Sequence, residues 1–344
     1  MEIKEIQETQ ELQDRIGEFL LPHVEDFLFD ELSYDYLKKA EIDDILTDIP
    51  VPIRKKELSG GLTTLKIAQN MAFIIGCDIN FQYKKNYIAY IERMFTKEFV
   101  KPLINDGIEG AAKHDFDYAC ICFRAAILID PENVDALYCY GRACKDSYEI
   151  GEGEDYVGRY KAEALEAFEK VTIKKPDFDM GFYFLGYAYL NLGLYVKAKL
   201  TWETFLELSK DEEMKKEVSE WMSKLEDPVK IEQGYNDILA GRFDEGLAIL
   251  EEYAEDERFN TWWPMWYYLG VGYKELERFE DSEEALLKVL KLSPSNAETM
   301  EELVHLYTLT GNDEKKEKYE KKIEVVKHNR ELDKAERGRA HGWS

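Results

Sequence analysis

The sequence predicts an all-α protein built as a row of antiparallel helix pairs, and three observations carry that expectation. First, residues 179–210, DMGFYFLGYAYLNLGLYVKAKLTWETFLELSK, fall into two amphipathic halves. Phe182, Leu185, Gly186 and Tyr189 share one helical face, Gly193 breaks the pattern, and Tyr195, Ala198, Trp202 and Phe205 mark a second helix. Second, a small residue stands where each helix would come closest to the other, flanked by bulky ones, which suits close antiparallel packing. Third, the pattern recurs at a period of about 34 residues. Gly107, Gly141, Gly186, Gly234 and Gly270 take the first small site, and Ala119, Ala164, Ala198, Gly246 and Ser282 the second. Phe123, Phe168, Trp202, Leu250 and Leu286 follow at the next large apolar site, while Pro131, Pro176 and Pro294 stand where a helix must stop.

Over roughly residues 98–328 this register resembles the tetratricopeptide repeat family. The resemblance implies a tetratricopeptide-type α-α superhelix, a solenoid of antiparallel helix pairs with about six repeats. In such proteins the inner wall is lined by first-helix residues that avoid the core. Carried over, that face comprises Tyr138, Arg142 and Lys145, then Tyr183, Tyr187 and Asn191, then Tyr235 and Ile238, then Tyr267 and Lys274. Tyrosines in a groove offer large contact area and a hydroxyl at low entropic cost. The implied function is a non-enzymatic scaffold or adaptor that binds a peptide segment or partner helix in the concave groove. The competing account of the same tyrosines is mutual packing. The Lys/Asn/Arg set with which chaperone-binding relatives hold a peptide's terminal carboxylate is not reproduced, because Arg142 is the basic residue at its centre and tyrosines surround it.

Taken in order, residues 1–97 lack the repeat and are expected to form an additional helical N-terminal region packed on the first pair. Helical faces are predicted up to Pro22, from Glu25 to Leu46 (with Phe27 and Leu28 buried), from Leu62 to Gly76 and from Asn80 to Phe95, with a bend or joint at Ile49–Gly61. That joint would also allow the first helix to fold back into the groove. A second functional reading makes this region an effector that the repeats position. Asp106 and Gly110 replace bulky residues in the first repeat, which predicts a distorted helix there. An insertion near 145–158, KDSYEIGEGEDYVG, is expected to lengthen a loop or extend both helices, and to be removable at little cost. An extra helix near 211–226 is predicted, capped by Ser209 with Glu212, and Asp227–Pro228 is expected to open the fourth repeat. In the sixth repeat Lys316 and Glu320 replace second-helix contacts, as suits a terminal cap, and residues 329–344 read as the end of that helix and a tail.

Composition narrows the function classes. The formal net charge is −26. Such a field repels phosphate backbones and anionic lipid, so a protein or peptide partner is expected, and neither nucleic acid nor membrane. Met1–Arg15 is polar and charged, without the apolar core of a signal peptide, and the 5 cysteines are an odd set inside helical patterns. Both features predict a cytoplasmic protein with reduced thiols.

The candidate chemistries are poor matches to their templates. Cys120 and Cys122 would diverge by about 200° around a helix axis, which does not suit a shared metal ion. Gly151, Gly153 and Gly158 superficially resemble a phosphate loop, but Glu149, Glu152, Glu154 and Asp155 would repel the phosphate. The histidines are scattered and no nucleophile motif accompanies them. No metal, cofactor or catalytic residue is therefore expected. Trp266 is assigned to a repeat core, and Trp262 to packing at a helix start.

Overall fold

In the computed structural model, residues 13–57 and 61–340 are described. The chain divides into two compact units, Met1–Gly193 with Leu200–Lys215, and Leu194–Lys199 with Lys216–Ser344. Both are built from antiparallel helix pairs, and among the described residues the fold is all-α apart from one two-stranded antiparallel sheet.

The first unit opens with α1 (Gly17–Leu20), β1 (Phe27–Asp30), α2 (Tyr34–Lys39), α3 (Asp43–Leu46) and β2 (Val51–Arg54). The strands pair antiparallel, with Phe27 opposite Arg54 and Asp30 opposite Val51. A strand and two short helices thus replace the single helical face expected from Glu25 to Leu46. Pro50 and Pro52 favour extended backbone along residues 51–54, and a strand needs a partner for its backbone groups. Phe27–Asp30 supplies that partner. In β1 Phe27 is buried but Leu28 is 45% exposed, contrary to the expectation that both are buried. The part of the first predicted helix that precedes Gln13 lies outside the described residues.

α4 (Thr64–Cys77) is capped by the Thr63 hydroxyl, which accepts from the Lys66 N–H at 3.2 Å. Ile67, Met71, Ile74 and Ile75 are buried, and Gly76 lies against the Ile121 carbonyl, so α4 packs on the repeat body. After α5 (Lys84–Phe95) the pairs begin: α6 (Val100–Ala112) with α7 (Phe116–Ile129), α8 (Val134–Ile150) with α9 (Glu154–Lys174), and α10 (Asp179–Asn191) with α11 (Tyr195–Leu208). α6 runs unbroken despite Asp106 and Gly110. A methyl at Gly110 would stand 2.8 Å from the Tyr118 ring, so the missing side chain is where α7 needs room.

α12 (Glu212–Lys224) follows. Its cap is Asp211, whose Oδ1 accepts from the N–H groups of Glu213 and Met214, while the expected cap, Ser209, accepts from the Asp211 N–H. In the second unit α13 (Glu226–Leu239) pairs with α14 (Phe243–Ala254), α15 (Trp263–Glu275) with α16 (Phe279–Leu292), and α17 (Ala297–Leu309) with α18 (Asp313–Ala340). α13 begins before Asp227, which lies inside the helix and accepts from the Tyr253 hydroxyl at 3.0 Å. The last pair keeps its seam through Tyr319, 5% exposed and stacked on Tyr307, three residues past Lys316.

One contact sets the register of these pairs. A methyl on Gly107 would stand 2.6 Å from the Phe123 ring, on Gly141 2.7 Å from Phe168, on Gly234 2.7 Å from Leu250 and on Gly270 2.6 Å from Leu286. Gly186 sits still closer to Trp202, whose indole N–H donates to the Tyr183 carbonyl at 3.1 Å. Successive pairs are joined by phenol-to-carboxylate hydrogen bonds. Tyr189 on α10 donates to Glu169 on α9 at 2.7 Å, Tyr273 on α15 to Glu251 on α14 at 3.0 Å, and Tyr307 on α17 to Glu283 on α16 at 2.8 Å.

The insertion extends α8 to 17 residues and α9 to 21. It turns between them at Gly153, whose φ of 89° lies in the left-handed region that favours glycine. The extension is not a solvated appendage, contrary to the picture on which its cheap removal was expected. Ser147 and Tyr160 are fully buried and Tyr148 is 9% exposed. Tyr156 packs, tilted, against Tyr160 at 4.4 Å and against Phe19 at 4.9 Å, and Arg159 binds Glu18 at 2.9 Å and the Arg15 carbonyl at 3.1 Å. The helices lengthen because they hold the segment at residues 13–20. Sequence reading saw acidic residues at the tip and missed the aromatic ones at its base.

Candidate functional site

The first-helix face of the first unit is set by helical spacing. On α8, Tyr138, Arg142 and Lys145 share a side, and on α10 so do Tyr183, Tyr187 and Asn191. The N-cap of α8 is Asn133, which accepts from the Ala136 N–H at 3.0 Å and fixes where that side begins.

Phe184 joins the two helices. Its ring lies 5.8 Å from Tyr138, 5.1 Å from Tyr183 and 5.5 Å from Phe168, on which it stacks. The exposed guanidinium of Arg142 stands 5.8 Å from the Tyr138 ring and 5.6 Å from Phe184, over π-faces that attract cations, and it makes no ion pair among the described residues. Phe178, the N-cap residue of α10, closes the far side of Tyr138 at 5.1 Å. Burial raises the Tyr138 phenol while Arg142 pulls it down, and the net shift is upward.

Other residues of the expected wall are engaged within the chain. Tyr183 and Tyr187 meet edge to face at 5.0 Å, and they pack on Phe205 at 5.4 Å and Trp202 at 4.9 Å respectively. Both are half-buried, so each has one ring face in the core. Lys145 pairs with Glu149 at 2.6 Å, and the Asn191 amide donates to the Tyr148 hydroxyl at 3.1 Å.

In the second unit Tyr235 stacks on Tyr268 at 4.6 Å, and Tyr267 meets Tyr268 edge-on at 5.3 Å. Burial, reinforced by Glu302 and Glu298, pushes the Tyr267 phenol up to about 12. Two residues assigned to the wall belong elsewhere. Ile238 is 3% exposed and packs in the core with Leu247 and Leu250. Lys274 is 6% exposed, bound to Glu302 at 2.6 Å and 3.1 Å from the Nδ1 of His305. Helical spacing allowed either residue to face out; the neighbouring helices α14 and α17 decide otherwise.

Trp266 is half-buried, its N–H donating to the Asn260 carbonyl at 2.9 Å, and Trp262 is the N-cap residue of α15, packed on Phe259 at 5.5 Å. Sequence reasoning missed Phe184, Phe178 and Tyr268. The run Phe182-Tyr183-Phe184 carried the signal for Phe184, but strict face assignment left no role for the third ring. Cys120 and Cys122 are both buried in α7, and burial pushes the Cys122 thiol up to about 12. Among the described residues no helix is long and apolar enough to cross a membrane.

No family model matches the sequence, and neither does any curated protein. Solved structures that it resembles include a crystal structure of MamA, at 16% identity, covering 68% of this chain and 94% of that one with a TM-score of 0.28. Another is YrrB, described as a TPR protein with an unusual peptide-binding site, at 18% identity, 62% and 96% coverage and a TM-score of 0.31. A third is the TPR domain of P58(IPK), at 12% identity, 80% and 78% coverage and a TM-score of 0.45. The tetratricopeptide-type fold is read from the chain's own pairs and their recurring glycine contacts.

Proposed function

We propose that this tetratricopeptide-type chain is a non-enzymatic scaffold that binds a peptide segment or partner helix, with residues 98–328 as the binding part and residues 1–97 capping the first pair. The observation that carries the reading is the cluster of Tyr138, Phe184, Tyr183 and Tyr187, half-buried rings on successive first helices, of which Tyr138 and Phe184 lie beside the exposed Arg142 guanidinium, which makes no ion pair among the described residues. Apolar side chains of a peptide would lie against the ring edges, and a peptide carbonyl or carboxylate would accept from Arg142. Tyr235 and Tyr267 form a second aromatic face on the second unit, proposed to contact a partner in the same way.

The test uses Arg142→Glu, because that side chain is exposed while the tyrosines also pack inward. A displayed peptide library is selected on the wild-type protein, and the selected peptides are titrated into the variant. Binding should weaken at least tenfold, roughly the 1.4 kcal/mol of one decade, while the melting temperature stays within a degree or two. Undiminished binding would move the peptide site away from α8 and α10.

A further inference from the structure

Away from that cluster, the two strands of the first unit leave one edge open. Pro52 on β2 has no N–H, so its pair with Phe29 cannot exchange hydrogen bonds. The bonded pairs are therefore Leu28 with Ile53 and Asp30 with Val51, and the backbone groups of Phe27 and Phe29 point away from β2. By the same alternation those of Pro52 point away from β1. There the edge is covered, because the Pro52 carbonyl accepts from the amide of Asn70, a buried residue of α4, at 3.2 Å. The far edge of β1 has no such cover. The Phe27 N–H donates to the Val24 carbonyl, but the Phe27 carbonyl and both backbone groups of Phe29 make no hydrogen bond among the described residues. Phe29 is 40% exposed, as is 45% of Leu28, so apolar side chains stand in solvent beside this edge.

An open edge is a template for another extended chain, and proteins commonly blunt one with lysine, proline or a bulge. β1 carries neither residue, and its register with β2 runs without a bulge. Its charges are acidic instead. Asp26 precedes the strand, Asp30 ends it and Glu31 follows; all three are exposed and make no ion pair among the described residues. Beyond Val51, the partner of Asp30, the chain reads Pro50, Ile49 and Asp48, which adds a further exposed acid at that end. Two copies joined antiparallel along this edge would set these acids against one another, whereas a strand bearing lysine or arginine would meet them with opposite charge. We propose that the open edge of β1 binds an extended peptide segment as an added antiparallel strand, with apolar side chains beside Leu28 and Phe29 and a lysine or arginine at its N-terminal end facing Asp30 and Glu31. Main-chain hydrogen bonds to Phe27 and Phe29 would supply the hold, and the acidic end the selection. This surface is distinct from the helix-face cluster around Arg142.

Titration of the full chain tests this with three capped peptides: Lys-Lys-Val-Thr-Val-Thr, the same peptide with glutamate in place of both lysines, and the lysine peptide methylated on its valine and threonine nitrogens. The first should bind saturably and slow hydrogen exchange at the Phe29 amide at least tenfold, and the other two should bind at least tenfold more weakly. Phe29→Pro removes the outward N–H without removing a bond of the sheet, and should cost the lysine peptide at least tenfold. Because that change also removes a ring packed on Phe81, Asp30→Lys provides an independent variant at an exposed side chain. It should shift the preference toward the glutamate peptide while the melting temperature holds. Arg142→Glu should leave this binding unaltered; a parallel loss there would place the peptide on the helix faces and overturn the assignment. So would absence of saturable binding, equal binding of the methylated peptide, or an unprotected Phe29 amide. Self-association of the protein that Phe29→Pro abolishes, without peptide binding, would give the edge to a second copy and overturn it too.

Discussion

The pairs α8–α9 and α15–α16 are built on the same contact and differ in what lies beyond it. Gly141 meets Phe168 in the first and Gly270 meets Leu286 in the second, at nearly equal approach. In the second pair the helices stop at 13 and 14 residues, and the Ser282 hydroxyl ties the seam by donating to the Gly270 carbonyl at 2.7 Å. In the first they run to 17 and 21, and the added turns carry Tyr156, Arg159 and Tyr160 onto residues 15–19. The contact fixes the register of a pair, and length past it is open to other uses. Here the added length holds the N-terminal segment.

The largest expected effect separates those two parts of α8–α9. Tyr160→Ala removes a fully buried ring from the extension, outside the glycine seam, and should cost about 3–5 kcal/mol in urea denaturation. Replacing residues 146–157 by a short turn should likewise lower the melting temperature. An unchanged midpoint in both would make the extension a bystander and erase the contrast between the pairs.

Next in size is the shared contact itself. Gly186→Leu and Gly270→Leu each drive a branched side chain into a large residue of the second helix, and each should cost about 1–3 kcal/mol. Similar losses at both positions would support one register across the two units, whereas a neutral result at either would break it.

The smallest effect is electrostatic. Burial favours the protonated form of Glu166, but Lys170 and Arg15 outweigh it, and the carboxyl is held below its ordinary 4.5. Glu283 behaves alike, with burial opposed by Lys315 and Tyr307. A depressed carboxyl stabilises the fold fully above its unfolded value and loses that contribution as pH falls through the lower folded one. Glu166→Gln should therefore flatten the acid side of the stability profile below about pH 4.5, by less than about 1 kcal/mol because the pair is partly solvated. A profile of unaltered steepness would mean that the pair does not clamp the segment in solution.

The helix pairs were legible because each depends on a few residues at fixed separation, such as Gly186 with Trp202, and periodicity reads such separations directly. The strand pair was not legible, because Phe27, Leu28 and Leu32 fit a helical face as well as a strand, and the partner that decides between them lies beyond Pro50. The candidate site was legible by helix and only partly by residue. Tyr138 and Arg142 do meet, but Lys145 and Asn191 are tied to Glu149 and Tyr148 inside the lengthened pair, and Ile238 and Lys274 are claimed by neighbouring helices.

The phenol-to-carboxylate bonds between successive pairs have a consequence in alkaline solution. Burial, and then the acid partner, hold the phenols of Tyr189, Tyr273 and Tyr307 above their ordinary 10.0, because an ionised phenol would set two negative charges within 3.0 Å. Tyr253, bonded to Asp227, is pushed up to about 12 by the same causes. The stability that these groups contribute is complete below pH 10 and is lost as pH rises through their folded values. A chain of formal charge −26 already repels itself, so base adds its new charges at the joints where one helix pair is fastened to the next.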